Sequence, residues 1–524
     1  MNNANGKGVI AAGHPETART AAIMLEEGGN AFDAVLAAVL TSAVVEPVLS
    51  SLGGGGFLLA RPGDKIGGKP LMYDFFTQIP KKIKPKSELD FHPIEADFGT
   101  VTQEFHIGLA SMATPGTVRG LFQVHRDLAT MPLARIAEPA AALARKGFTV
   151  NRLQAYLFQV VGPIYMASAA ARKIFADPEN PERLIGEAET MHNPAYADIL
   201  EVLTREGEDL FYRGEIAAAI TRDCASGGGM LSIEDFESYR NELRKPLEID
   251  YRGTRLYTNP APSTGGILIA FALELLKELD VKAMGFGSQA HLETLARVMD
   301  LTNKARLESE LHGKQDDGGP ENILHPEFLA TYKADILGRP SALRGTTHIS
   351  VIDGDGNAAS LTMSNGEGSG YMAPGTGIMI NNMLGEEDIN PLGFHQGPTD
   401  TRLCSMMAPS LAIGQDRMVA LGSGGSNRLR TAILQVLLNL DDFAMPVLDA
   451  VCAPRIHCEG GLLSVEDGFD DAAIGKLQAA YPEIKRWQEK NLFFGGVHVA
   501  CFNAGKGTFE GAGDPRRGGE ALVV

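Results

Sequence analysis

The sequence predicts an α+β protein whose first part is mostly helical and whose last part is rich in short strands. Up to about residue 312, apolar residues recur in long stretches at helical spacing, and after residue 345 short apolar runs alternate with turn residues. The chain has 524 residues, of which 44% are hydrophobic and 21% charged, so it can bury a large core. At roughly 150 residues per domain we expect three to four domains, and one large unit of this size is also possible.

The first predicted elements are two helices that lead into a glycine-rich turn. PETARTAAIMLEE (15–27) has helical spacing, the GGN that follows is typical of a helix end, and AFDAVLAAVLTSAVV (31–45) is a mostly apolar second helix. Four glycines at 53–56 then precede the strand-like FLLA (57–60). These glycines fit either a packing turn or a backbone segment pressed against a catalytic centre.

The middle of the chain is predicted to be loop-rich at first and helical afterwards. Within residues 64–107, Pro80, Pro85 and Pro93 break any helix. A helical region then runs from ATPGTVRG (113–120) to about residue 243. Beyond it the sequence predicts a strand with a turn, a buried helix and a long amphipathic helix, at 251–266, 267–280 and 288–312.

The last part is predicted to hold short strands and one further helix. The strand candidates are HISVID (348–353), AASLTMS (358–364), GIMINNM (377–383), MAPSLAIG (407–414) and RMVALGS (417–423), and the helix is LRTAILQVLLNLDD (429–442). Between the first two, DGDGN (353–357) resembles the start of a calcium loop. Such a loop needs glycine at its sixth position and glutamate at its twelfth, where this chain has Ala358 and Ser364. DGDGN is therefore interpreted as a hairpin turn.

Composition argues against several classes of function. The formal net charge of −18 disfavours partners that select basic surfaces, so we expect binding neither to nucleic acid nor to an anionic membrane. The 12 histidines show no metal-ligand spacing, and we expect neither a metal nor a cofactor. The five cysteines are an odd number in a long chain and are expected to be reduced thiols.

The N-terminal region leads us to expect a cytoplasmic protein. MNNANGKGVIAAGHPE lacks the basic and then apolar layout of a signal peptide. The longest apolar run, Ala34–Val45, lies between Asp33 and Glu46 and is too short to span a bilayer. It is better interpreted as a buried helix.

The run Gly345-Thr346-Thr347 stands directly before a predicted strand, and this position suggests a chemical role. A threonine hydroxyl is a poor nucleophile at neutral pH and needs a base beside it. Cleavage before Thr346 would free an α-amine that titrates near pH 8 and can accept the proton. A glycine at 345 would let the Thr346 hydroxyl approach the preceding carbonyl. Taken alone this short run is a weak signal, because threonine-rich strand starts are common.

Longer stretches of the sequence, one of which starts at the two threonines of this run, resemble those of a known protein family. TTHISVIDGDGNAASLT (346–362) resembles the start of the small subunit in the γ-glutamyltranspeptidase family. Further stretches match in the family's order: GGNAFDAVLA (28–37), GGGGF (53–57), ATPGTVRG (113–120), GEDLFYRGEIA (207–217), PAPSTGG (260–266), GIMINNM (377–383), GSGGS (422–426) and GDPRRGG (513–519). The resemblance covers nearly the whole chain.

The resemblance implies an N-terminal-nucleophile hydrolase with a four-layer αββα sandwich. Such a protein is made as one chain and cleaves itself, here between Gly345 and Thr346. Residues 1–345 would form the large subunit and residues 346–524 the small subunit. The two fragments would stay together as a heterodimer that makes one αββα unit.

The resemblance also assigns catalytic roles by position. Thr346 matches the nucleophile, and Thr347, next along the strand, is expected to point to the opposite face. Ser364 stands where the family has a threonine that supports the nucleophile. Gly424 and Gly425 match the glycine pair whose backbone N–H groups form the oxyanion hole.

The substrate-binding positions match less completely. Asn365 matches the family asparagine near the substrate amine, and Glu386 stands about where an aspartate binds that amine. Ser405 matches one of two adjacent serines at the substrate α-carboxylate, but the other position is Cys404, and the family glutamine after NN is Met383.

The largest departure is an arginine that the family uses to bind the α-carboxylate. YDFFTQIP (73–80) aligns with the stretch that holds this arginine and places Phe76 at its position. Losing a bidentate arginine–carboxylate contact removes a strong source of specificity. Arg402, just before the Cys404-Ser405 pair, is a candidate replacement.

The leading functional hypothesis is a self-processing γ-glutamyltransferase-like enzyme. It would pass the acyl group of a γ-glutamyl amide, such as glutathione, to Thr346 and then to water or an amine. One alternative is an acylase for glutaryl-type amides, since the arginine is missing. Another is a non-catalytic relative that stays uncleaved and binds a ligand or partner.

Overall fold

The computed structural model describes residues 6–64, 68–97, 102–308, 323–324, 345–390 and 393–524. The strands are β1 Gly8–Ala12, β2 Gly55–Arg61, β3 Leu71–Phe75, β4 His92–Asp97, β5 Thr102–Ile107, β6 Phe148–Thr149, β7 Thr190–Met191, β8 Glu242–Arg244, β9 Leu247–Tyr251, β10 Thr254–Thr258, β11 Thr347–Asp353, β12 Ala358–Ser364, β13 Met372–Ala373, β14 Ile378–Met379, β15 Ser410–Ile413, β16 Arg417–Gly424, β17 Ile456–Glu459, β18 Leu462–Val465, β19 Glu483–Arg486, β20 Gly496–Asn503, β21 Thr508–Ala512 and β22 Glu520–Val523.

Among the described residues, the α-helices lie mostly before residue 309, as the sequence predicts. They are Pro15–Glu26, Ala31–Val45, Thr117–Leu128, Leu133–Lys146, Arg152–Val160, Gly162–Tyr165, Ala169–Phe175, Pro194–Glu206, Asp209–Tyr212, Glu215–Gly227, Ile233–Ser238, Gly265–Leu276, Val281–Met284, Gln289–Glu308, Arg428–Asp441, Val447–Cys452 and Asp471–Leu477. The last four residues of the long helix expected at 288–312 lie outside the described residues.

The helix Ala31–Val45 shows why the apolar run near the N-terminus does not need a membrane. Asn30 caps the helix by accepting hydrogen bonds from the Phe32 and Asp33 N–H groups, and the Asp33 carboxylate accepts the Asn30 N–H in return. Every residue of this helix is buried in the protein core. Within the described residues, no helix is both long and apolar enough to cross a membrane.

Two antiparallel sheets form the centre of the protein. The first has seven strands in the order β22-β1-β11-β12-β2-β3-β8, and the second has six in the order β21-β20-β16-β15-β10-β9. Strands β11 and β12 pair directly, with Thr347 opposite Met363 and Ile352 opposite Ala358. The DGDGN segment is therefore a hairpin turn, and the Asp353 side chain accepts the N–H groups of Asp355 and Asn357 within it.

The two sheets contact each other and are flanked by helices. Strands β11 and β12 contact β16, while β1 and β11 contact β20. The helices Pro15–Glu26 and Ala31–Val45 contact the seven-stranded sheet, and the helices Gly265–Leu276 and Arg428–Asp441 contact the six-stranded sheet. Apolar side chains from both sheets, among them Phe57, Leu411 and Phe509, form one buried cluster.

Some segments differ from the sequence prediction. Residues 64–107 contain β3, β4 and β5 although they were expected to be loop-rich. Pro93 lies inside β4, which the two-stranded sheet of β4 and β5 tolerates because β4 has a free edge. The expected strand at 377–383 is limited to the two residues of β14, and the rest of the stretch is irregular.

Candidate active site

Thr346 lies at the start of β11, where the hydroxyl can reach the preceding peptide carbonyl. Its side chain is 5% exposed, and Oγ1 donates a hydrogen bond to the Gly345 carbonyl oxygen at 2.7 Å. The Ser364 hydroxyl donates to the same oxygen, also at 2.7 Å. A Cβ at position 345 would lie 2.8 Å from the Gly366 carbonyl oxygen, so only glycine fits without displacing the backbone. Two hydroxyls thus converge on the carbonyl of the expected cleavage site.

Thr347 points to the opposite side of the strand, as alternation along β11 predicts. Its hydroxyl donates to Glu46 Oε1 at 3.0 Å, and the Thr17 hydroxyl donates to Oε2 of the same carboxyl group at 3.2 Å. Burial raises the pKa of Glu46 to about 7, and the two hydroxyls together with the charge of Arg517 limit the rise. A buried, weakly acidic side chain therefore lies behind the candidate nucleophile.

Gly424, the last residue of β16, comes close to Thr346, and Gly425 follows it beside Gly495 and Arg517. A Cβ at Gly424 would collide with the Thr346 carbonyl oxygen and with the guanidinium group of Arg517. Gly425 has φ of +122°, which side chains rarely allow. The structure thus requires glycine at both positions, and the use of their N–H groups as an oxyanion hole stays a prediction.

Arg517 contacts Thr346 on the side of these glycines. Its Nη1 donates a hydrogen bond to the Thr346 carbonyl oxygen at 3.1 Å, and the residue is 5% exposed. Burial lowers the pKa of Arg517 to about 10, so the guanidinium group stays charged at neutral pH. The sequence comparison of GDPRRGG marked the stretch but gave no reason to single out this arginine.

A pocket opens at Thr346. Its polar lining comes from Thr346, Ser364, Glu386, Ser405 and Ser426, together with the backbone of Gly345. Its apolar lining comes from Phe76, Met383, Ile389, Met406, Met407 and Leu429. Among the described residues that line it there is no lysine or arginine.

The pocket includes some of the predicted substrate-binding residues and leaves out others. Glu386 and Ser405 line it, and each is at most 5% exposed. Ser405 Oγ accepts the Met407 N–H at 3.0 Å. Asn365 is fully buried and does not line the pocket, and its amide group has no hydrogen-bond partner within the described part of the chain.

Phe76, at the position of the missing family arginine, lies in the pocket, and Arg402, the candidate replacement, does not line it. Phe76 lines the pocket and stacks on Phe57, with ring centroids 5.4 Å apart. Arg402 is used elsewhere: it donates to the main-chain carbonyls of Phe76 and Arg240, and its Nε lies 3.4 Å from Asp74 Oδ1. Arg402 therefore does not replace the arginine that the family resemblance leads one to expect in the pocket.

Within the described residues, no group of three or more histidine, cysteine, aspartate or glutamate side chains could hold a metal ion. All five cysteines are free thiols. The polar groups around Thr346 are hydroxyl groups, backbone N–H groups, carboxyl groups and the guanidinium group of Arg517.

Known proteins resemble this chain over nearly its whole length. A sequence model of the γ-glutamyltranspeptidase family matches residues 17–524. The chain belongs to this family. It is a self-processing γ-glutamyltransferase-like enzyme, a hydrolase or acyltransferase of the N-terminal-nucleophile class.

The relatives of this γ-glutamyltranspeptidase family member are of two kinds. Acylase ACY 1 proenzyme of Pseudomonas sp. (strain V22) is 29% identical over 540 residues, which cover 99% of this chain and 94% of that protein. Glutathione hydrolase proenzyme of Escherichia coli (strain K12) is 29% identical over 549 residues, which cover 97% and 90% of the two chains. Sequence identity therefore does not separate the acylases from the glutathione hydrolases.

Solved structures show the same fold for this family member. Cephalosporin acylase from Bacillus halodurans superposes with a TM-score of 0.85 at 23% identity, over 99% of this chain and 96% of that one. γ-Glutamyltranspeptidase from Helicobacter pylori superposes with a TM-score of 0.53 at 25% identity, over 63% of this chain and 91% of that one. The protein therefore has the mixed helix and sheet fold of N-terminal-nucleophile hydrolases.

Proposed function

We propose that this enzyme hydrolyses acyl amides through Thr346 and transfers acyl groups to amines only weakly. The observation that supports this most is the lining of the pocket at Thr346. It holds hydroxyl groups and one carboxyl group but no cation among the described residues. A substrate with an α-carboxylate would find no charged partner there, so glutamyl recognition would be weak.

Self-processing would come first. In the uncleaved chain the Thr346 hydroxyl hydrogen-bonds to the carbonyl oxygen of Gly345, so it lies beside the carbonyl group that it would attack. The Ser364 hydroxyl would stabilise the negative charge that develops on the carbonyl oxygen, because it already donates to that atom. Cleavage would release the α-amine of Thr346.

The same residue would then act on substrate. The freed α-amine has an ordinary pKa near 8 and would take the proton of the Thr346 hydroxyl as that oxygen attacks the amide carbonyl. The N–H groups of Gly424 and Gly425 would bind the oxyanion, and the amine part of the substrate would leave. Water would then attack the ester on Thr346 and release the acid.

The remaining pocket residues would bind the acyl group. Glu386 would bind an amine at its far end, and Ser405 would donate a hydrogen bond to a carboxylate or carbonyl oxygen. Asn365 would contribute only if the pocket rearranges after cleavage, because it lies outside the pocket in the uncleaved chain. The apolar wall of Phe76 and Met383 would accept the methylene groups of a glutaryl or glutamyl chain.

The second candidate is hydrolysis or transfer of a true γ-glutamyl group, as in glutathione. Glu386 favours this function because its carboxylate could hold the α-amine of a glutamyl substrate. Both candidate functions use Thr346 as the nucleophile. They differ only in which groups at the far end of the acyl chain the pocket recognises.

The organisation of the mature enzyme follows from the cleavage site. We propose a heterodimer of residues 1–345 and 346–524, a cytoplasmic location and no membrane association. A four-layer αββα arrangement is supported by the two facing sheets, each of which contacts helices. The first strand of the small subunit, β11, pairs with β1 of the large subunit, which would hold the two fragments together.

The test is to measure hydrolysis and transfer on the same substrate. Purified enzyme is given a γ-glutamyl anilide with and without a dipeptide acceptor such as glycylglycine, and products are separated by chromatography. We expect the free acid as the main product and less than a twofold increase in anilide release with acceptor. A dominant glutamyl-dipeptide product would contradict the proposal and support efficient transpeptidation.

A further inference from the structure

Gly345, the last residue before the expected cleavage, is held at both ends. Its N–H donates a hydrogen bond to Glu367 Oε1 at 2.9 Å. Its carbonyl oxygen accepts hydrogen bonds from Thr346 and Ser364. Glu367 is 2% exposed and lies three residues after Ser364 in the chain. The contacts to the carbonyl oxygen orient the peptide group that the Thr346 hydroxyl attacks, and the contact to Glu367 holds the peptide group before it.

The charges around the cleavage site differ between its two sides. On the Gly345 side, Glu367 binds the amide, and Glu386 lines the same pocket as Gly345. On the Thr346 side, the guanidinium group of Arg517 binds the carbonyl oxygen. The side that becomes the new C-terminus is therefore acidic.

Cleavage adds a negative charge on the acidic side. The Thr346 oxygen bonds to the Gly345 carbonyl carbon, the carbon–nitrogen bond breaks, and the hydroxyl proton ends on the nitrogen. Water then cleaves the resulting ester. The products are a carboxylate on Gly345, an ammonium group on Thr346 and a free Thr346 hydroxyl. The new carboxylate forms on Gly345, whose own N–H binds the carboxyl group of Glu367.

We propose that Glu367 is a positioning residue for self-processing: it orients the Gly345 amide before cleavage and repels the Gly345 carboxylate after it. The repulsion moves the new C-terminus out of the pocket that Gly345 lines, so that substrate can enter. A carboxylate suits both tasks, since it accepts an N–H group well and disfavours a second negative charge nearby. The inference rests on cleavage between Gly345 and Thr346, as proposed above.

Two substitutions separate the two tasks. Glu367→Gln keeps an oxygen that accepts the Gly345 N–H but removes the charge, and Glu367→Ala removes both. Glu387→Gln is the matched control, because Glu387 is an exposed acid next to Glu386. Self-cleavage is followed by denaturing gel and by the intact masses of both fragments, which also show whether the cut lies at Gly345. We expect Glu367→Ala to cleave at least tenfold more slowly, and Glu367→Gln to cleave within threefold of the wild type.

The release of the new C-terminus is measured with a carboxypeptidase. The cleaved enzyme is treated briefly, and loss of the terminal glycine from the large subunit is followed by intact mass. We expect wild type and Glu387→Gln to lose it at least tenfold faster than Glu367→Gln, whose terminus stays in the pocket. The retained terminus should also raise the KM of Glu367→Gln while kcat stays unchanged. If Glu367→Gln were only less tightly folded, the carboxypeptidase would digest it faster than the wild type, which is the opposite of the expected result.

Distinct results refute the inference and the proposed function. Cleavage at another bond, or none in the wild type, refutes the proposed function and the inference with it. Cleavage at Gly345 with equal carboxypeptidase rates in wild type and Glu367→Gln refutes only the role of Glu367. A Glu367→Gln chain that does not cleave also refutes this role, because glutamine keeps the oxygen that accepts the Gly345 N–H.

Discussion

Arg517 donates a hydrogen bond from Nη1 to the main-chain carbonyl oxygen of Thr346, across 3.1 Å, although the two residues are 171 positions apart in the chain. The position of the arginine is fixed by its neighbour Arg516, which is buried and binds Asp514 and Glu466. The fixed guanidinium group therefore holds the residue that carries the candidate nucleophile.

Replacing Arg517 should slow catalysis without unfolding the protein. Hydrogen bonds to charged groups contribute about 1.5–3 kcal/mol, which corresponds to a rate loss of about 10- to 100-fold if the bond positions Thr346 for attack. We expect Arg517→Met to lose this much in kcat, and Arg517→Lys to recover part of it. The exposed Arg486 provides the control Arg486→Met. Normal kcat in Arg517→Met would show that the contact is only structural.

Of the adjacent residues Thr346 and Thr347, only Thr346 should be needed for self-cleavage. Wild-type protein should separate on a denaturing gel into fragments of residues 1–345 and 346–524, with Thr346 at the start of the smaller one. Thr346→Ala should remain one chain because the attacking oxygen is gone. Thr347→Ala should still cleave, since its hydroxyl points away to Glu46. A Thr346→Ala protein that splits at this bond would exclude Thr346 as the processing nucleophile.

A methyl group at Gly424 should disturb the nucleophile and the oxyanion site together. It would collide with the Thr346 carbonyl oxygen and with Arg517, so one of them has to move. Loss of a single oxyanion donor typically lowers kcat by about 10²–10³-fold. We expect Gly424→Ala to lose at least that much, with the circular dichroism spectrum unchanged. Gly475→Ala is the matched control because a Cβ there meets nothing within 4 Å. Full turnover by Gly424→Ala would exclude the assignment.

Glu46 should make stability depend on pH. Its pKa is raised from 4.5 to about 7 in the folded protein, chiefly by burial. Between these values the unfolded chain releases the proton while the folded protein keeps it, so stability falls as pH rises and levels off above about pH 7. A shift of this size corresponds to at most about 3 kcal/mol.

The measurement uses urea unfolding of the uncleaved Thr346→Ala chain, in which fragments cannot dissociate. Between pH 4.5 and 7.5 the parent should lose stability relative to the same chain with Glu46→Gln, which keeps the contacts to Thr17 and Thr347 but cannot ionise. The exposed Glu182 serves as control through Glu182→Gln. Parallel pH curves for parent and Glu46→Gln would mean that Glu46 does not titrate in this range.

Local sequence patterns predict the parts of this protein that local interactions build. The DGDGN hairpin and the helix Ala31–Val45 are both set by side chains a few residues apart, such as Asp353 with Asn357 and Asn30 with Asp33. The run Gly345-Thr346-Thr347 is also local, but alone it is a weak signal, and the resemblance of longer stretches to the family was needed to assign Thr346 as the nucleophile.

The residues around Thr346 could not be found in this way. Glu46 reaches Thr347 across 301 positions of the chain, and it ends a helix with no sequence pattern of a functional site. Glu367 lies near Thr346 in the chain, but a single acid after Ser364 gives no sign that it binds the Gly345 amide. Asn365 is the opposite case, a residue that was predicted to bind substrate but does not line the pocket. The family alignment places it at the substrate, whereas the fold buries it outside the pocket.

Substrate selectivity should follow from Phe76 and can be changed there. The pocket offers Glu386 for an amine, but among the described residues that line it no cation for a carboxylate, because Phe76 lines the wall and Arg402 is bound to Asp74 and to main-chain carbonyls. A site that binds a charged group rejects analogues that lack it, and a site without that partner discriminates less. We therefore expect wild-type kcat/KM for matched γ-glutamyl and glutaryl anilides to agree within about tenfold, with a residual preference for glutamyl if Glu386 binds the amine.

Phe76→Arg should increase that selectivity. An arginine there would pair with the α-carboxylate that only the glutamyl anilide carries, so the kcat/KM ratio of glutamyl to glutaryl should rise by about 10-fold or more. Phe76→Leu is the matched control, because it removes the ring that stacks on Phe57 without adding charge, and its ratio should stay near that of the wild type. Stability of both variants is checked by thermal unfolding, since Phe76 is 1% exposed. Strong glutamyl selectivity in the wild type, unchanged in a folded Phe76→Arg, would show that another cation binds the carboxylate.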